Sequence, residues 1–276
     1  MKLNNKRTIL VGLAFLSICA FWQMYDSVVP LILTKTFHMN ETFSGAIMAA
    51  DNILALFLLP FFGSLSDRTN TKIGKRMPFI LFGTGCAVIL MNLLPLIENS
   101  YYAAPGTAKT VSFVIVLGLL LIAMGTYRSP AVALMPDVTP KPLRSKGNAI
   151  INLMGAVGGI LYLAITSVLY SQSRLEAIKA AGGRVNYQPL FLIVSAIMFV
   201  SIGILFLTVK EPKLTAENQA LEAEHPEWNL ATEDSSGHEV LPAPVKRSLG
   251  FLLASIALWF IGYNGVTTWF STYVDV

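Results

Sequence analysis

The sequence predicts an all-α polytopic membrane protein, and three observations predict it. Of 276 residues, 54% are hydrophobic and only 13% charged, about half the charged share of a soluble domain, so lipid must cover much of the surface. The apolar residues gather into seven runs, each long enough to cross a hydrocarbon core about 30 Å thick, which takes roughly 20 helical residues. A lone segment in lipid must also satisfy its own backbone hydrogen bonds, and the runs are about twice the length of a barrel strand, so each is read as a helix.

The first run, 8–33, follows a basic start, MKLNNKRTIL. No small-residue cleavage pattern follows it, so it is expected as a span and not as a signal peptide. Runs at 43–65, 77–97, 111–135, 147–170 and 189–209 follow over short loops. Residues 210–248 break the pattern: they are polar and acid-rich, from Glu211, Glu217 and Glu222 to Glu233, Asp234 and Glu239. This stretch is expected as a mobile cytoplasmic linker. A seventh run starts at Leu249. The spacing therefore divides the chain into a six-helix bundle over 1–209, a linker over 210–248 and, over 249–276, the first helix of a second bundle. A parent protein of about twelve spans is expected, with the rest of that second bundle as the missing partner.

Charge supplies the orientation. Of the twenty Lys and Arg residues, fourteen fall at the face that bears the N-terminus, five at the other face, and Arg128 lies inside a span. Positive charge collects on the cytoplasmic side, so the N-terminus is expected in the cytoplasm and the protein in the plasma membrane. The net charge of +4 sits in short loops and indicates no nucleic-acid partner. Cys19 and Cys86 both lie in apolar runs and are read as small packing residues, not a disulfide.

Three charges lie where charge is expensive: Asp26, Asp51 and Arg128, each costing about 2.5–3.5 kcal/mol near mid-bilayer. At 1.5 Å per residue, Asp26 and Asp51 both lie roughly 12 Å below the outer face and Arg128 roughly 10 Å above the inner one, an axial gap on the order of 8 Å. Two carboxylates at one depth repel in a low dielectric, which favours the uptake of a proton by one of them. The three form a candidate proton or ion site; a structural ion pair that fixes helix register is the other reading. Trp22 and Gln23 accompany Asp26, Asn52 follows Asp51, Asn148 and Asn152 are four apart on the fifth span, and Trp259, Tyr263, Asn264 and Trp269 mark the seventh. Rings that stack on sugar CH faces, with amides and carboxylates for hydroxyls, suit a sugar. Gly155 and Gly159 form a G-x-x-x-G pair, read as close helix packing.

The loop after the second run reads Gly63-Ser64-Leu65-Ser66-Asp67-Arg68, then Gly74-Lys75-Arg76-Met77-Pro78. Gly63 permits close packing at a helix end, while Asp67 and Arg68 can pair with each other, a neighbouring helix terminus or the loop's own basic residues. Gly63, Asp67, Arg68, Gly74, Lys75 and Arg76 form a candidate gate. These residues resemble the signature loop of the major facilitator superfamily, and their spacing is similar to that of the glycoside–pentoside–hexuronide cation symporters and the sucrose-transporter-like proteins. A second match, Tyr127-Arg128-Ser129-Pro130 followed by Ala133-Leu134-Met135-Pro136-Asp137, with Asn148, is similar to the sucrose-transporter pattern. The resemblance implies a transporter of two six-helix bundles working by alternating access, with sugar:cation symport as its activity. One departure matters. Symporters of the melibiose-permease type carry two acids four apart in the second helix, the later one just before a proline, and bind sodium there. Here Ala55 and Leu59 hold those positions, with Leu59 before Pro60, so a proton is the expected coupling ion.

The expectation is a proton-coupled glycoside symporter needing no cofactor beyond that ion. An efflux carrier for drugs or metabolites and a non-transporting membrane sensor are the rival readings. No HExxH, G-x-S-x-G or phosphate loop occurs, so an enzyme is not expected.

Overall fold

A computed structural model describes residues 3–228 and 242–274, all of them helix or connecting turns apart from a single bridge between Thr71 and Gly74. Seven helices are long and apolar enough to cross a membrane: α1 (Asn5–Leu31), α2 (Glu41–Arg68), α3 (Met77–Ala103), α4 (Thr107–Asp137), α5 (Arg144–Leu169), α7 (Gln188–Thr208) and α9 (Ala243–Val274). Among the described residues, two shorter α-helices lie outside that set, α6 (Gln172–Ala180) and α8 (Glu211–Glu224). The stretch expected as a linker thus begins with a helix, while Glu233, Asp234 and Glu239 lie outside the described residues. Cys19 and Cys86 carry free thiols.

Local chemistry sets the ends of the helices. Asn4 caps α1 by accepting from the amide of Arg7 at 3.1 Å, and Asn40 caps α2 through Thr42 at 2.9 Å, each answering one of the orphan amides of a first turn. Pro30 interrupts α1; lacking an N–H, it cannot bond the carbonyl four residues back, that of Asp26. Past it the helix relaxes into a π-turn, Ile32–Thr36.

Side-by-side packing orders the bundle: α1 packs on α5 and α7, α7 on α3, α3 on α4, and α4 on α2. The most apolar stretch of α1 is 61% buried, against 6% for α2 and none for α9, so α1 is the central post and α9 touches the bundle from outside, along α1. The α1–α5 crossing is close because a Cβ at Gly158 would overlap the carbonyl oxygen of Leu16 and one at Gly155 would lie 2.9 Å from Cys19 Sγ. The expected pair was Gly155 and Gly159; a Cβ at Gly159 would come no nearer than 3.9 Å to Gln23 Oε1. The contact face turns through Gly158 instead, so that residue carries the tight packing.

Candidate functional site

Four helices line one chamber, and three of them bring charge to it. Trp22 and Asp26 reach it from α1, Met48, Asp51 and Asn52 from α2, Arg128 from α4, and Phe260 and Asn264 from α9; its volume is about 250 Å³. Depth arithmetic places the two acids level and the arginine lower, and their azimuths turn all three inward. The Arg128 guanidinium lies 5.5 Å above the Trp22 ring, a cation–π contact, and forms no ion pair with either acid among the described residues. Asp51 accepts from the amide of Asn52 at 2.6 Å. Among the described residues, two buried donors of α1 have no partner: the indole N–H of Trp22, which lines the chamber, and the hydroxyl of nearby Tyr25. An unmet buried donor costs about 1–3 kcal/mol, so the chamber is held short of hydrogen bonds. Ala55 and Leu59, with Asp51 and Arg128, line a neighbouring and much smaller void of about 20 Å³.

Three sequence-predicted residues lie elsewhere. Gln23, one residue and about 100° round α1 from Trp22, turns into a second cavity of about 530 Å³ between α1, α5, α6, α7 and α9. Asn152 is exposed and donates to its own helix, to the carbonyl of Asn148 at 2.9 Å. Tyr263 is 52% exposed and stacks on Trp259 with ring centres 5.4 Å apart. Met48 and Phe260 line the chamber without having been expected there; as single apolar residues they gave no signal. A fourth charge also lies within a span. The third span was expected to end at 97, but α3 runs on to Ala103, and Glu98 is 2% exposed, accepting from Thr36 Oγ1 at 3.0 Å.

At the basic end, α2 and α3 meet in a dense network. Arg76, 4% exposed, donates to Asp137 Oδ2 from Nε at 2.8 Å, to Ser66 Oγ at 2.5 Å and to Asp67. Lys75 Nζ lies 3.2 Å from the same Asp137 oxygen. Glu211, at the first turn of α8 and 1% exposed, caps α3 from 134 residues away: its carboxylate accepts the amides of Lys75 at 2.8 Å, Arg76 at 2.9 Å and Met77 at 2.8 Å. A carboxylate suits a helix N-terminus, where amides and dipole are both positive. Gly74, at φ 119°, leaves the room Glu211 fills, since a Cβ there would overlap that carboxylate. Gly63 packs on α4, a Cβ there lying 3.0 Å from Ser129 Oγ. Arg68 is exposed and joins no ion pair among the described residues, so it does not belong to the network. Asp137, Ser66 and Glu211 do belong to it. Asp137 stands in the second sequence match, while Glu211 reads as one acid among many.

The family model of the Major Facilitator Superfamily matches residues 11–276. Among curated proteins, a sucrose transport protein of Arabidopsis thaliana is 32% identical over 139 residues, 46% of this chain and 23% of that protein. A sucrose transport protein of Oryza sativa subsp. indica is 30% identical over 141 residues, 46% of this chain and 28% of its own length. The alpha-ketoglutarate permease of Escherichia coli (strain K12) is 26% identical over 149 residues, 52% of this chain and 31% of the permease. The matched stretch is thus less than a third of each of these relatives. No solved structure matches the chain at a significant level.

Proposed function

This chain belongs to the Major Facilitator Superfamily, and from that premise we propose that it serves proton-coupled uptake of a glycoside by alternating access, with its N-terminus in the cytoplasm of a cell whose plasma membrane it spans. The observation that carries the reading is the convergence of Asp26, Asp51 and Arg128, from three helices, on one chamber of about 250 Å³. Two carboxylates and one guanidinium leave that chamber with one negative charge in excess. A proton on Asp26 or Asp51 removes the excess, and the chamber then suits a neutral solute rich in hydroxyls. An organic anion would meet the surplus negative charge until that proton arrived. Arg128 balances the acids and, with the Trp22 N–H, unpaired among the described residues, offers donors to hydroxyl oxygens. The Lys75–Arg76 network with Asp67, Asp137 and Glu211 closes the basic face in this conformation, and transport requires it to open. The sucrose transport proteins among the relatives support a sugar as the solute.

Vesicles carrying the chain, loaded with a pH-sensitive dye, test the assignment. Glycoside addition acidifies the lumen with the wild type, and Asp26→Asn and Arg128→Ala each abolish the signal. Undiminished proton uptake in both variants removes the assignment.

A further inference from the structure

We infer that Tyr127 and Ser129 are positioning residues for Arg128: one ties α4 to the helix of Asp26, the other ties it to the helix of Asp51, and the guanidinium between them is held short of an ion pair with either acid. The inference rests on the transport reading above and adds to it the residues that keep its charges apart. Arg128 shares a chamber of about 250 Å³ with both carboxylates. Among the described residues it pairs with neither, and its contact is the Trp22 ring, 5.5 Å away. A long side chain whose planar fork matches a carboxylate would close on one of these acids unless its helix were kept back.

The residues on either side of Arg128 keep it back. Successive residues of a helix point about 100° apart, so Tyr127 and Ser129 flank Arg128 in azimuth. The Tyr127 hydroxyl donates to the Ala14 carbonyl of α1 at 2.8 Å and meets Ser17 Oγ, and both side chains are fully buried. The Ser129 hydroxyl donates to the Leu59 carbonyl of α2 at 2.8 Å. Behind them α3 leaves no slack, since a Cβ at Gly83 would lie 2.8 Å from the Tyr127 amide nitrogen. Pro130 follows at once. Without an N–H it cannot bond the Thr126 carbonyl, so α4 is weakest here and its neighbours must set its place. Among the described residues the other helices add no charge to the chamber. From α9 come Phe260 and Asn264, Glu98 lies near the end of α3, Arg144 and Lys146 stand in the first turn of α5, and α8 meets α4 at Asp137. Cys19 and Tyr25 of α1 lie near these charges and are neutral below pH 7.

Freed of these ties, α4 can bring Arg128 onto an acid. A paired carboxylate favours its ionised form, so loading the proton then takes a more acidic medium. Glycoside-driven proton uptake into vesicles is measured across a series of pH values for the wild type, Tyr127→Phe, Ser129→Ala and the double variant, which lose hydroxyls and little volume. The pH of half-maximal uptake should fall in each single variant and by at least about one unit in the double. That is a tenfold rise in the proton concentration required, the low end of what a neighbouring guanidinium does to a carboxyl group. Thermal unfolding shows which variants fold. Loosened packing alone would lower the rate at every pH and leave the midpoint in place. An unshifted or raised midpoint in the folded double variant therefore overturns the inference and leaves the transport reading standing. Should the double variant not fold, an unshifted midpoint in both single variants has the same force. Absence of glycoside-driven uptake by the wild type at every pH overturns the transport reading together with this one.

Discussion

Arg76 and Arg128 are both arginines among carboxylates, and the protein treats them in opposite ways. Around Arg76 every charge is answered: Asp137 and Asp67 accept from its guanidinium, Ser66 takes another donor, and Glu211 satisfies three amides at the start of α3. Around Arg128 the charges are near one another but not joined. The guanidinium rests over Trp22, and two buried donors of α1 have no acceptor among the described residues. A network with all its members satisfied rigidifies the parts it joins, whereas one left incomplete is a place where a ligand's groups can finish the bonding. On the proposed reading, the contrast separates a region that holds one conformation from a region that receives a solute, although both are made from the same residue types.

The largest expected effect breaks the satisfied side. Arg76→Ala strips the partner from Asp67 and leaves Asp137 with Lys75 alone, and removing one member of a buried pair costs about 3–5 kcal/mol. The exposure of the Asp67 side chain, 57%, and the remaining Lys75 contact place the expectation at the low end. A clear fall in the thermal unfolding midpoint in micelles is the readout, with Arg76→Lys recovering only part of it because the planar fork is lost. A midpoint within a degree of the wild type would mean the network holds nothing together. Next in size is Glu211→Gln, which keeps shape but turns an NH₂ toward amide donors at the start of α3. A loss of about 1–3 kcal/mol follows for the group left unmet, together with faster hydrogen exchange at Lys75–Met77. Unchanged exchange there would show that α8 merely lies nearby.

Much of this contrast was legible in the sequence, and its gaps have physical causes. Spans are read from hydropathy, and hydropathy places helices well but misjudges their ends. Glu98 made the third run look finished at 97, yet Thr36 and burial against α1 keep that acid inside α3. Depth is also readable, since 1.5 Å per residue puts Asp26 and Asp51 at one level and Arg128 on the order of 8 Å lower. Azimuth is not readable in the same way. One residue of rotation separates Trp22 from Gln23 and sends their side chains into different cavities, and the same uncertainty misplaced Tyr263 and Asn152. Partners distant in sequence leave no local trace: nothing near Glu211 announces that it caps a helix beginning at Met77.

The smallest expected change in stability sharpens the comparison most. Asp51 is half-buried beside a second acid, and among the described residues the one donor bonded to it is its neighbour's amide, from Asn52. Asp51→Asn removes a charge from a poorly solvated chamber and keeps side-chain size, so the folded chain loses no ion pair and gains relief from the Asp26 charge. Thermal unfolding should shift by less than about 0.5 kcal/mol in either direction, while proton uptake driven by glycoside disappears. That pairing, a silent substitution for folding and a decisive one for transport, is the reverse of what Arg76→Ala should give, where stability falls first and transport only as a consequence. Were Asp51→Asn to destabilise the chain by several kcal/mol, Asp51 would be a structural partner of Arg128 after all, and the chamber would be a second latch.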